Sequence, residues 1–159
     1  MTRHVDDVDR EILREMARDG RQTVRALART VGLSEPSVRE RLQRLERDGV
    51  ITGYHAALDP GSVEADTAAY VALRYEHSSE SKKRVTERLR DEPAVLELHE
   101  VAGEDCYWLK VRTSGTEDLA DTLDRIRSIP SVTGTKTTIV LRTVFERPLR
   151  PDGPPAEGK

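Results

Sequence analysis

The chain has a single cysteine, Cys106, in 159 residues, which excludes an intrachain disulfide framework and a cysteine-based zinc cluster. It also lacks any apolar run approaching the roughly 20 residues that cross a bilayer. Its first residues do not show the basic-then-apolar order of a signal peptide, because Asp6, Asp7 and Asp9 follow closely on Met1. No membrane partner is therefore expected, and the expected compartment is the cytoplasm. There is no Gly-rich phosphate loop. The histidines (His4, His55, His77 and His99) lack the close helical spacing of a zinc site, and none sits beside a serine or cysteine in a recognisable triad. No catalytic residue, metal or cofactor is expected.

What the chain does have is 36% hydrophobic content, enough for one domain or two small ones, and a net charge of -3 that argues against a uniformly basic surface. The distribution of that charge says more than its sum. Residues 21–50 carry seven arginines against four acids, whereas residues 59–147 carry 13 basic and 17 acidic side chains. A locally basic end joined to an acidic remainder is the pattern of a nucleic-acid-binding part attached to a non-binding part.

Hydrophobic spacing places three helices in the first fifty residues. Val5, Val8, Ile12, Leu13 and Met16 form one stripe of a helix ending near Asp19-Gly20. Thr23 suits an N-cap, and Val24, Leu27, Ala28 and Val31 form a second stripe that Gly32 stops. Ser34 caps a third helix, Pro36 fits its first turn, and Val38, Leu42 and Leu45 give its buried line as far as Gly49. Three short helices, the last two joined by "GLS", predict a helix-turn-helix whose third helix meets the DNA major groove. With Val38, Leu42 and Leu45 inward, and about 100° of turn per residue, Pro36, Glu40, Gln43 and Arg47 point outward, flanked by Arg39 and Arg44. Arg41 lies nearer the core edge, where it serves an ion pair or a phosphate contact at the rim. The plainer alternative is a charged face that is only solvated, with Glu40 pairing to Arg44 one turn on.

After Gly49, "VITGYHAAL" reads as extended, and "DPGS" (59–62) as a turn that closes the first part. Beyond it the period changes. "TAAYVALRY" (67–75) reads as a strand, Val85 and Leu89 as a helix running into Pro93, and "AVLELHEVAG" (94–103) with "CYWLKVRT" (106–113) as two strands around a tight turn, "GED". Leu119, Leu123 and Ile126 form another helical stripe, and "VTGTKTTIVLRTVF" (132–145) reads as a long β-branched strand. The order βαββαβ, with a Pro-x-Val opening a strand at both Pro93 and Pro130, implies two βαβ halves: an α+β, ferredoxin-like arrangement with both helices on one face of an antiparallel sheet. The other face, or the edge strands, should then be buried against a second copy of the chain. The expected division is 1–50 helix-turn-helix, 51–66 linker, 67–147 ferredoxin-like domain and 148–159 disordered tail, the last being rich in proline and glycine.

This combination resembles the Lrp/AsnC, or feast/famine, family of bacterial and archaeal transcription regulators. The resemblance rests on "DDVDREIL", on "DGRQTVRALARTVGLSEPSVRERLQRLERDGVITGYHAALDP", on "VAGEDCYWLKV" and on "IPSVTGTKTTIVL". It implies a (winged) helix-turn-helix followed by the ferredoxin-like domain. It further implies homodimers that commonly assemble to octamers, and amino acids or similar small ligands bound by the C-terminal domain. Many members carry an aspartate three residues after the glycine of the effector loop; here that place is Cys106, with Asp105 one residue earlier.

On this basis double-stranded DNA is the expected partner. Arg25, Arg44 and Arg47 are candidates for phosphates, and Ser37, Arg39, Glu40 and Gln43 for the groove, with Ser34 beside them at the helix start. Arg39 suits guanine, Gln43 adenine, and Glu40 the amino group of cytosine. Gly103, Glu104, Asp105 and Cys106 are the effector candidates, since a tight loop offers backbone N–H groups to a ligand carboxylate and Glu104 or Asp105 an acceptor to its ammonium. The alternatives are a simple β-turn with solvated acids and, for Cys106, a small buried hydrophobe. Two other functions are open: an architectural DNA-organising protein that uses the same parts with little effector response, and an enzyme or enzyme-regulating subunit built on the sheet domain, which would leave the N-terminal helices no evident task.

Overall fold

The computed structural model describes residues 5–149 and 151. Contacts divide the chain into two compact units: Leu58–Val144, and the residues up to Ala57 together with those from Phe145 onward. Most of the expected tail at 148–159 lies outside the described residues.

The first unit is built from α1 (Asp7–Arg18), α2 (Val24–Val31) and α3 (Glu35–Arg47). Each start is chemically marked. Asp6 caps α1 in a reciprocal box with Asp9, the Thr23 hydroxyl accepts from the Ala26 N–H, and the Ser34 hydroxyl accepts from the Ser37 N–H. Gly32 ends α2 at φ 68°, a left-handed conformation that would strain any other residue. Ile12, Leu27, Ala28, Val38, Leu42 and Leu45 form the buried centre, with Val8, Met16, Val24 and Val31 packed around it. Each fully buried Leu or Ile contributes about 1.5 to 3 kcal/mol, so this seam fixes which side of α3 faces out. After Gly49 the chain runs through residues 52–58 without regular structure, so the winged position carries an extended loop rather than a paired strand.

The second unit opens with a 3-10 turn at Pro60–Val63, where a turn was expected. It continues as β1 (Thr67–Tyr75), α4 (Ser79–Arg90), β2 (Val95–Glu100), β3 (Tyr107–Thr113), α5 (Thr116–Arg127) and β4 (Val132–Ile139). The sheet order is β2-β3-β1-β4, with every pair antiparallel. This is the α+β, ferredoxin-like arrangement, and it follows the predicted βαββαβ order. Both predicted Pro-x-Val segments open strands, at Val95 and Val132. Ala69, Val71, Leu73 and Tyr75 on β1 and Tyr107, Leu109 and Val111 on β3 alternate onto one face. There they pack with Val85 and Leu89 of α4 and Leu119, Leu123 and Ile126 of α5. Tyr107 thus faces the core, and Trp108, 48% exposed, faces the uncovered side together with Tyr70.

The last strand is shorter than its β-branched run suggested. β4 pairs with β1 from Val132 to Ile139, and the Val140 N–H makes a final bond to the Ala68 carbonyl; beyond that β1 has no more backbone to offer. Leu141, Val144 and Phe145 are accordingly exposed. The β2–β3 connection is also longer than a tight turn. The Val101 N–H donates to the Cys106 carbonyl across a four-residue loop, in which Gly103 adopts φ 143°.

Candidate nucleic-acid interface and effector loop

Position on α3 decides what each polar side chain can reach. Arg39, Glu40, Gln43 and Arg47 are exposed on the side away from Val38, Leu42 and Leu45. None of the four has a hydrogen bond or ion pair among the described residues, and Arg25, exposed in the first turn of α2, is equally unengaged. The alternative pairing of Glu40 with Arg44 is not made. Ser34 and Ser37 are linked by their hydroxyls at 2.9 Å at the start of the helix, so the cap also holds Ser37 in place. Seven of the eight sequence candidates therefore lie at the start of α3, along its solvent face or on the neighbouring α2.

Arg44 departs from expectation. One of its terminal nitrogens donates to both oxygens of Asp9, at 2.7 and 2.6 Å, on the flank of α3 that meets α1. Arg41, on the same flank, donates to Asp6 at 2.6 Å and to Asp9 at 2.8 Å, which places it in the ion pair that was one of its two readings. The Asp6 N–H donates to Asp9 as well. Asp9 is fully buried, so it is a buried carboxylate whose oxygens are all occupied by donors. The Arg41 guanidinium holds the Asp6 carboxyl down at about 2, helped by the Asp9 N–H. The same contacts raise the pKa of Arg41. Sequence reading did not single out these two aspartates. Their only local signal is a pair of acids three apart at a helix start; the partners lie more than thirty residues away.

In the second unit, Gly103 and Glu104 are exposed in the β2–β3 loop, and Asp105 is half-buried with its carboxylate 4.0 Å from the Arg74 guanidinium. Cys106 departs from the effector set. It points into the core, only 8% exposed, with its thiol 3.9 Å from the Tyr75 carbonyl. Its N–H donates to the Leu73 carbonyl, which anchors the loop's end to β1. The loop therefore presents Gly103, Glu104 and Asp105, while Cys106 is the small buried hydrophobe of the plainer reading. A shallow cleft of about 470 Å³ opens elsewhere in the unit, lined among others by Glu64, Glu92, Pro93, Arg112, Asp118 and Arg125; none of the loop residues borders it. Its Arg125 donates to Glu92 at 2.9 Å. Among the described residues no group of His, Cys, Asp and Glu converges as a metal site, and no helix is long and apolar enough to cross a membrane.

Comparison with known proteins places both units. Residues 5–52 match the model for winged helix-turn-helix DNA-binding domains, and residues 68–149 match the model for the Lrp/AsnC ligand binding domain. The HTH-type transcriptional regulator LrpA of Mycobacterium tuberculosis is 39% identical over 145 residues, covering 91% of this chain and 95% of that one. The HTH-type transcriptional regulator FL11 of Pyrococcus horikoshii is 32% identical over 139 residues, covering 87% and 91%. Among solved structures, a feast or famine regulatory protein from M. tuberculosis complexed with L-methionine superposes with a TM-score of 0.83 at 38% identity, covering 90% of this chain and 96% of that one.

Proposed function

This chain belongs to the Lrp/AsnC family of transcriptional regulators, and from that premise we propose that it is a sequence-specific DNA-binding regulator whose binding or assembly responds to a small molecule, an amino acid being the class. It is a regulator rather than an enzyme. The observation that carries the DNA reading is the unengaged row of Arg39, Glu40, Gln43 and Arg47 on the solvent side of α3. Arg39 and Gln43 offer the bidentate donor sets that suit guanine and adenine, while Arg47 and Arg25 supply phosphate contacts.

One such helix binds weakly alone, so the working unit is a homodimer or a larger assembly, and the half-sites fall one helical turn, about 10 bp, or a multiple of it apart. The uncovered sheet face bearing Tyr70 and Trp108 is the surface offered to a second copy. Residues 51–66 act as the connection between the two working parts, and the cytoplasm is the working compartment. For the effector, Gly103, Glu104 and Asp105 form the ligand-facing loop. The L-methionine complex of the M. tuberculosis relative supports an amino-acid class without fixing which one.

Selection of bound DNA from a random pool, with and without a panel of amino acids, tests the whole reading. The expected product is a symmetric site whose enrichment changes with one of the ligands. Enrichment that is symmetric but indifferent to every amino acid favours the architectural alternative, and no enrichment at low salt overturns the regulator. Arg39→Ala should relax choice at one base position, costing about 1 to 3 kcal/mol on the preferred sequence. Arg47→Ala should weaken all sequences alike and lower the salt slope by about one; equal losses from both on every site would abolish this division of roles.

A further inference from the structure

Four arginines lie on α3, but they do not share one environment. Arg39 and Arg47 are exposed and unengaged among the described residues, whereas Arg41 and Arg44 converge on Asp9 and Asp6 of the α1 start. Their side chains are only 28% and 35% exposed. The geometry is that of a phosphate contact with the phosphate replaced: two guanidinium groups grip an oxyanion at 2.6 to 2.8 Å, and the oxyanion belongs to the protein. The acceptor positions on Asp9 are filled by Arg41, Arg44 and the Asp6 N–H, so the grip has no slack.

We propose that Asp9, supported by Asp6, is a positioning residue that withholds Arg41 and Arg44 from the DNA backbone and thereby limits the protein's affinity for DNA of any sequence. This rests on the DNA-binding reading and deepens it. Each phosphate neutralised by a cation adds about 0.9 to the dependence of log affinity on log salt. Two arginines held internally subtract up to about two such contacts per protomer from the non-specific term. They leave base contacts untouched, because those come from the exposed row of Arg39, Glu40 and Gln43 and not from the flank that meets α1. The clamp thus raises the ratio of specific to non-specific binding without adding a contact to the target.

The test is the salt slope of binding to a long duplex of arbitrary sequence, measured for the full-length protein. Asp9→Asn keeps the side chain's shape and removes the charge that holds Arg44 and one of the two that hold Arg41. Its slope should steepen by about one to two per protomer, with several-fold tighter non-specific binding at low salt and a lower specificity ratio. A merely structural role predicts weaker binding at every salt with an unchanged or shallower slope, and that result in a folded variant overturns the proposal. If circular dichroism shows Asp9→Asn unfolded, Arg41→Gln decides instead, because Arg44 still holds Asp9. A slope equal to wild type supports the clamp, and a slope shallower by about 0.9 per protomer shows that Arg41 was a phosphate contact and refutes it. Wild-type protein that binds no duplex even at low salt would refute the regulator reading and the clamp together, an outcome distinct from either variant result.

Discussion

The two units solve the same packing problem with different materials. The sheet unit buries fourteen side chains of one contiguous core among the described residues, whereas the helical unit buries six. The charges invert that order. Asp9 of the helical unit is the one fully buried ionic side chain among the described residues, while each ion pair of the sheet unit keeps at least one exposed partner, as in Arg125–Glu92, or two, as in Lys82–Glu100 and Arg84–Glu80. Surface pairs of that kind contribute about 0 to 1 kcal/mol. A buried carboxylate must be matched or it destabilises by several times that. In the small unit, then, geometry between helices depends on a polar contact as well as on apolar area. In the large one no charged side chain is fully buried among the described residues, and the buried polar ones are the hydroxyls of Ser81, Thr113 and Thr122.

The strongest way to break this comparison is to remove apolar area from the smaller core. Leu45→Ala deletes buried contacts at the centre of the helical seam and should cost about 3 kcal/mol. A unit of some fifty residues holds only on the order of 5 kcal/mol, so most of its stability goes, and DNA binding with it. Trp108, the chain's only tryptophan, lies in the sheet unit and reports on it. Because α4 and α5 of the sheet unit are helical too, the helical unit's transition is the circular-dichroism change that remains after the tryptophan-monitored one is subtracted; in a urea titration it should move to lower urea while the tryptophan transition stays unmoved. If both shift together, the two cores are one cooperative system and the contrast fails.

A smaller effect sharpens the sheet side. Gly103 holds φ 143°, and an added Cβ would meet no atom within 4 Å, so a substitution there is opposed by backbone conformation and by nothing else. Gly103→Ala should therefore cost about 1 to 3 kcal/mol, read as a lower tryptophan midpoint with the helical transition unchanged. An unaltered midpoint would mean that the loop relaxes freely and does not hold a fixed ligand-facing shape.

How far these features could be read in advance depended on their range along the chain. Thr23, Ser34 and Gly32 act on backbone within a few residues, and their types declare the cap they make. Val38, Leu42 and Leu45 announce a buried line by spacing alone, which is why the outward face of α3 could be named. The bond from Arg44 to Asp9 spans 35 positions; nothing local distinguishes an arginine on that flank that binds phosphate from one that binds a carboxylate. Cys106 is a similar case. Alternation with the inward Tyr107 would turn it outward; instead it lies before β3 starts, where its N–H bonds the Leu73 carbonyl and its thiol lies beside the Tyr75 carbonyl, contacts with another strand that no single-strand pattern contains. The end of β4 was likewise set by where its neighbour β1 begins.

The finest difference between the units lies in acid. Asp6 keeps its charge down to about 2 against an ordinary value of 3.8, chiefly because Arg41 donates to it. A carboxyl whose folded value is depressed adds stability that is present above its unfolded value and disappears as pH falls through the folded one, so this contribution fades between about pH 4 and pH 2. The sheet unit also has lowered carboxyls, Glu92 through its bond from Arg125 and Glu97 through His99, so wild-type protein should soften in both units on acidification. Asp6→Asn separates them. Asparagine still offers an oxygen to the Asp9 N–H and preserves the cap, but it takes up no proton at the position facing Arg41. The helical transition of the variant should start lower than wild type at pH 5 and lose less between pH 4 and pH 2, while its tryptophan transition tracks wild type throughout. Parallel acid curves for the helical transitions of the two proteins would show that the Arg41–Asp6 contact carries no net stability and that Asp9 alone holds the flank of α3.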